Sequence, residues 1–168
     1  MTSGLQTRFI HSVPDLQRVL DEFQRSLDEL ELRQLAGRIR LGREQWEPYV
    51  GFLSERFCYR TIYSSFWFEV NVIGWRSGQQ SSVHDHRGTA CCVLVLDGVL
   101  TNTDYAPGPD GRLCETEHVC LHPGELLCRS DRAIHRCGHG GTSGDDLATL
   151  HFYSPPLLPL EQRRHDSR

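Results

Sequence analysis

Apolar residues recur at three- and four-residue steps near the start of the chain. Leu16, Val19, Leu20, Phe23, Leu27 and Leu30 fall on one stripe and predict an amphipathic helix over 14–30. Ser12-Val-Pro-Asp15 supplies a capped start for it. A second helical stretch is expected over 43–57, with Trp46, Tyr49, Phe52 and Leu53 on one side. Pro48 then has to sit in its first turn or two, where a missing N–H costs least. Both helices read as packing elements. Near residue 57 the pattern shortens to β-rich runs separated by Gly, Pro, Asn and Asp. Strands are expected over 66–73, 91–96, 99–105, 113–121, 125–129, 132–136 and 147–153. Asp97-Gly98 makes a hairpin turn, Ala106–Gly111 breaks the chain, and Gly138–Asp146 forms a loop. Many short strands with turns between them favour a closed barrel or jelly roll, because closure removes exposed edges. The expected organisation is a single domain over 1–168, with a helical part over 14–56, a β-barrel over 57–156 and a charged tail over 161–168.

With 168 residues the chain can bury a core without disulfide staples. A net charge of -4 gives no reason to expect nucleic acid or an anionic membrane as partner. No apolar run is long enough to span a bilayer, and residues 1–10 show no secretion signal. The 7 cysteines are odd in number and contain no C-x-x-C pair, which argues against a disulfide framework or a zinc ribbon. They read as reduced, small and mostly buried, and a cytoplasmic location follows as an expectation.

The histidines change the picture. His84-Asp-His86 places imidazoles at i and i+2, which on a strand point to one face. Alone, H-x-H is a weak signal. Its context strengthens it. Gly78, His84-x-His86, Cys91 and Gly98 follow the spacing of the first cupin motif, with Cys91 where a Glu normally stands, and Pro123-Gly124 followed by His135 matches the second. His84, His86 and His135 therefore read as three metal ligands. Three neutral imidazoles leave the charge of a divalent ion uncompensated, so such a site attracts a thiolate. Asp85 would point away from the pair on a strand and is a poor ligand.

Together with Leu150-His-Phe-Tyr-Ser-Pro-Pro156, these residues resemble the cysteine dioxygenases over roughly 14–160. The resemblance implies a mostly β cupin barrel with N-terminal helices and a ferrous-iron cofactor. It also implies oxidation of L-cysteine by dioxygen to cysteine sulfinic acid. His84, His86 and His135 would hold the iron. Arg60 would pair with the substrate carboxylate, and a guanidinium fork suits that role. Tyr153 would sit near substrate and oxygen, His151 would hydrogen-bond Tyr153, and Trp75 would line the pocket. Cys91 stands where one branch of the family forms a thioether to the tyrosine, here Tyr153, while Cys92 would face the other side of the strand. The family has a cis peptide at the position of Ser154-Pro155. Cys58 stands where animal members carry a second tyrosine.

Rival expectations remain beside this one. 3-Mercaptopropionate, or mixed thiols, could replace cysteine, although enzymes preferring it typically lack an arginine at the position of Arg60. A zinc hydrolase and a non-catalytic metal-binding cupin share the ligand set. The expected partners are a small thiol and dioxygen, and the expected assembly is a monomer or weak homo-oligomer.

Overall fold

The computed structural model describes residues 8–130, 132–141 and 144–157; the charged tail over 161–168 lies outside them. The first helix, α1, spans Val13–Asp21, with the Ser12 side chain accepting from the Asp15 N–H and a proline in its first turn. It ends sooner than the apolar stripe predicts. The chain restarts as α2, Glu29–Ala36, through a capping box in which Asp28 and Glu31 satisfy each other's backbone N–H groups. Between the two helices the Leu27 N–H donates to Ser154 Oγ at 2.8 Å, a partner 127 residues away, instead of to a helical carbonyl. Leu16, Leu20 and Leu27 are buried as the stripe requires, but Leu30 points to solvent at 63% exposure, because α2 has its own phase.

The second expected helix is cut short for a related reason. Helix α3 covers only Arg43–Trp46 and passes into a 3-10 turn, Glu47–Tyr49, holding Pro48; from Val50 the backbone is extended. The extended segment lies close against β2. A Cβ on Gly74 would stand 2.1 Å from the Gly51 carbonyl oxygen, so this approach requires glycine.

Eight strands follow: β1 Cys58–Ser64, β2 Glu69–Trp75, β3 Ala90–Asp97, β4 Leu100–Pro107, β5 Leu113–Leu121, β6 Leu126–Arg129, β7 Ile134–Gly138 and β8 Leu147–Ser154. They form a five-stranded sheet ordered β1-β2-β8-β3-β6 and a three-stranded sheet ordered β5-β4-β7, with antiparallel pairing throughout. Because side chains alternate along a strand, the larger sheet feeds two cores. Val70, Val72, Cys92, Leu94, Leu150 and Phe152 face the helices and pack with Leu16, Leu20, Leu32 and Leu35. Ile73, Trp75, Cys91, Val93 and Tyr153 face the smaller sheet and pack with Leu100 and Cys137. The second core surrounds the candidate site.

Two expectations about cysteine change here. Cys92 and Cys128, opposite each other on β3 and β6, are joined by a disulfide, and both lie in the helix-side core. Register brings the two thiols together even though no sequence spacing announces it. Cys114 and Cys120 are exposed on β5 rather than buried. No helix among the described residues is long and apolar enough to cross a membrane.

Candidate metal centre

His84, His86 and His135 come together at one end of the second core. Their ring centroids lie 5.1, 4.8 and 5.0 Å apart, close to an equilateral triangle, and their candidate ligand atoms are all within 4.8 Å of one another. The backbone reaches this arrangement differently from the strand expected over His84–His86. His84 exchanges both backbone hydrogen bonds with His135, each 2.9 Å, in an isolated bridge beside β7. The chain then turns through Arg87, at φ 45°, and the Thr89 N–H closes back on the His86 carbonyl. A bridge and a turn, not an i/i+2 strand face, aim the two imidazoles. Asp85 is not part of the triangle; Arg87 Nε lies 3.6 Å from its carboxylate.

The hydrogen bonds fit the triangle to a metal. His84 Nδ1 donates to the Ser82 carbonyl at 2.8 Å, which leaves the lone pair on Nε2. His135 Nδ1 meets Asn102 Oδ1 at 2.7 Å and is fixed in the same tautomer. The lone pair of His135 Nε2 then faces His86 Nε2 at 3.3 Å. Burial, with His84 and His86 nearby, holds the His135 imidazole down at a pKa of about 3, so the ring is neutral and ready to ligate. Imidazole nitrogens turned toward one another at this range suit a shared cation. Asn102 on β4 is fully buried and was not marked by any sequence motif. Replacing it with leucine should free the His135 ring to rotate and lower metal affinity by about 10–100-fold. Competition with a chelator, read as metal content, checks this.

Beside the triangle, β2, β3 and β8 present one row of side chains. Glu69 pairs with Tyr153, Asn71 with His151 and Ile73 with Thr149, and across the other edge of β8 Cys91 pairs with Tyr153. Along β8 runs a hydrogen-bond chain. Trp75 Nε1 donates to Thr149 Oγ1 at 2.9 Å, Thr149 Oγ1 meets His151 Nε2 at 3.0 Å, and His151 Nδ1 meets Tyr153 Oη at 3.1 Å. Thr149 Oγ1 has one proton and two acceptors in reach, His151 Nε2 and, at 3.5 Å, the Ile73 carbonyl; given to the nearer Nε2, it leaves the His151 proton on Nδ1, facing the phenol oxygen. Burial pulls the His151 pKa down to about 3, so the ring stays neutral. Thr149 escaped the motif-based reading, yet its position two residues before His151 is the period-2 signal that places it on the same face.

Trp75, Cys91, His151, Tyr153 and the three histidines line a cleft of about 860 Å³, with Thr149 buried behind them. The Cys91 thiol is buried, which pushes its pKa well up and keeps it protonated; Cys137, also on the wall, is pushed up to about 12 by the same burial. Ser154-Pro155 is cis, as the resemblance implied. Arg60 is the expected site residue that does not arrive. It pairs with Val72, on the helix side of the sheet, is exposed, and donates from Nη1 to the Pro48 carbonyl at 3.1 Å. Tyr59 takes the cleft side instead, opposite Ile73. On a period-2 element one position decides the face.

Comparison with known proteins agrees with this geometry. The human protein named cysteine dioxygenase type 1 is 26% identical over 118 residues, 67% of this chain and 58% of that protein. Its zebrafish counterpart (Danio rerio) is 26% identical over 99 residues, 54% of this chain and 46% of that protein. The chain thus spans less than two thirds of the length of these curated relatives. Among solved structures, the TT1209 protein of Thermus thermophilus superposes with a TM-score of 0.54 at 18% identity, covering 65% of this chain and 92% of that one. The Cnp3 cupin domain of Schizosaccharomyces pombe superposes at 0.52 with 10% identity, covering 66% of this chain and 72% of that one. These likenesses establish a cupin fold. The family described as cysteine dioxygenase type I matches residues 6–168, and the chain belongs to it.

Proposed function

We propose that the protein is a ferrous-iron thiol dioxygenase that converts L-cysteine and dioxygen to cysteine sulfinic acid. One observation carries the reading: an all-histidine triangle opens onto the same cleft as His151 and Tyr153, the end of the hydrogen-bond chain that starts at Thr149. His84, His86 and His135 would hold the metal, which when bound would supply affinity for thiolate and the electron chemistry that activates dioxygen. Both oxygen atoms end on sulfur, and the electrons come from the substrate, so no further reductant is consumed.

The chain's own residues supply position and polarity. Tyr153 presents its phenol beside His86, with ring centroids 5.9 Å apart. With its proton on Nδ1, His151 donates to the phenol oxygen, and the Tyr153 proton can then be given to a group in the cleft. Trp75 closes the wall, packed at a tilt against Phe57 with centroids 4.4 Å apart, and covers the buried Thr149. Aromatic and aliphatic walls lower the local dielectric, which strengthens each of these polar contacts.

Oxygen uptake by anaerobically iron-loaded protein, with L-cysteine and 3-mercaptopropionate offered separately, tests the proposal. Rapid uptake with cysteine, and sulfinate as product, supports it. Uptake with 3-mercaptopropionate alone replaces the substrate. No uptake with either thiol by iron-replete protein overturns the dioxygenase reading.

The Cys91–Tyr153 register supports a thioether between them. Directly opposed residues have Cβ atoms about 4.5–5.5 Å apart, which is within reach of such a link. Its formation removes the thiol hydrogen and a ring hydrogen, with dioxygen as the oxidant. Protein after turnover should contain a species lighter by that pair of hydrogens, with Cys91 and Tyr153 in one linked peptide. A Cys91→Gly variant should lack it.

A further inference from the structure

The cleft takes its walls from both sheets, and its two working parts hang on different ones. His135 sits on β7 of the three-stranded sheet, and His84 is bridged to it. Tyr153 and Cys91 sit on β8 and β3 of the five-stranded sheet. How close the metal triangle stands to the phenol therefore depends on how the two sheets are held together.

An ion pair joins the sheets beside this point. Arg129 on β6 makes a two-pronged contact with Asp104 on β4, Nε to Oδ1 at 3.0 Å and Nη2 to Oδ2 at 2.6 Å. Its remaining nitrogen, Nη1, donates to the Cys128 carbonyl at 3.0 Å, which ties the guanidinium to its own strand. The two side chains are only 21% and 17% exposed. Burial works against an ionised Asp104, and Arg129, followed by other neighbours, outweighs it and holds the carboxyl below its ordinary range. A planar fork on a carboxylate fixes direction as well as distance. Register then places each partner one strand away from the chemistry. Asp104 is directly opposite His135, and Asn102, two residues earlier on β4, holds the His135 ring. Arg129 is directly opposite Cys91, which is in turn opposite Tyr153.

We propose that Arg129 and Asp104 are positioning residues, and that their ion pair is a strut between the sheets that sets the distance from the metal triangle to the Tyr153 phenol. This inference rests on the metal-site part of the proposed function. Neither side chain lines the cleft, so their effect on turnover passes through His135 and Tyr153. Without the strut, His84 keeps its bond to Ser82 and His135 its bond to Asn102, so the triangle should still take a metal. What slackens is the relation between metal and phenol. A misplacement of that kind lowers kcat more than it raises KM.

Fluorine NMR of cobalt(II)-loaded protein carrying fluorotyrosine reads that relation without turnover, because paramagnetic relaxation of a tyrosine signal falls steeply with its distance from the metal. Tyr153→Phe assigns the signal. Arg129→Gln should bind cobalt with nearly the wild-type affinity, yet the relaxation at Tyr153 should drop severalfold. In the iron-loaded protein its kcat should fall by about 10-fold with KM little changed, for a shift smaller than the roughly 1 Å that costs about 10²-fold. Arg129→Gln alone leaves a largely buried carboxylate without its cation, which is destabilising in itself. Adding Asp104→Asn removes that charge and should restore the melting temperature, but not the relaxation or the turnover, since two amides make no fork. The double variant also supplies the reading should the single one fold poorly. Unchanged relaxation overturns the proposal. So does full recovery of relaxation in the double variant, which would reduce the pair to charge balance, and so does a loss of cobalt in step with the loss of relaxation. A wild type that binds no cobalt removes the metal site and the strut together. One that shows the expected relaxation differences but takes up no oxygen with either thiol removes the dioxygenase and keeps the strut.

Discussion

His86→Ala should leave a folded protein that holds almost no metal and consumes no oxygen with any thiol. The reasoning starts from the triangle. Its ligand atoms lie within 4.8 Å of one another, and His86 Nε2 faces His135 Nε2 at 3.3 Å, so removing one imidazole leaves two donors and no closed face. Metal content should fall further than for Asn102→Leu, which keeps all three rings and loses only the bond that orients His135; that outer loss costs about 10–100-fold in affinity. The fold should survive. His86 lies in the turn between the His84 bridge and β3, outside both apolar cores. Metal analysis after dialysis against ferrous iron, circular dichroism and oxygen uptake together check the prediction. Retention of near-stoichiometric iron by His86→Ala would exclude the triangle as the metal site.

How much of this was legible in the sequence depended on how local each feature is. The strand expected over 113–121 is β5 to the residue, and the strand over 147–153 is β8 short of one residue, because alternation and turn residues are local signals. The helix expected over 14–30 failed in its second half because its apolar stripe continues through a break. The Asp28-x-x-Glu31 capping box was present as a restart signal, but the Leu27–Ser154 bond that holds the segment between the two helices spans the chain. The three histidines could be grouped from motif spacing, although the bridge and turn that aim His84 and His86 could not be foreseen. Arg60 shows the sharpest limit. A short β-strand has two faces, and the pairing with Val72, not the residue type, put the guanidinium on the helix side. On the opposite face, Asn71 and Glu69 became visible only with register in hand. Cys92 and Cys128 are likewise joined by pairing across β3 and β6, which sequence spacing does not encode.

Adjacent residues on β8 should fail in opposite ways, and this contrast tests how the sheet divides its work. Phe152 is fully buried against the helices, with Val70 and Cys92 as its strand neighbours, while Tyr153 faces the cleft. Phe152→Ala should cost about 3–5 kcal/mol, because it removes a large ring from a core shared by α1, α2 and the five-stranded sheet and leaves a cavity. That is a large part of the roughly 5–15 kcal/mol that holds a typical domain together, so the variant should melt far below the wild type or fail to accumulate. Tyr153→Phe keeps the ring and loses only the hydroxyl. Its melting temperature should stay close to that of the wild type, since His151 can hold its Thr149 bond. Turnover should nonetheless fall by about 10²-fold, the scale of one positioned proton donor. Chemical denaturation of both variants, with oxygen uptake for Tyr153→Phe, separates these effects. If Tyr153→Phe unfolds as readily as Phe152→Ala, the phenol is a structural anchor. If it turns over at the wild-type rate, the His151–Tyr153 chain plays no part in the chemistry. A stable but slow variant would show that the helix-side face of β8 maintains the barrel and the cleft-side face acts on the substrate.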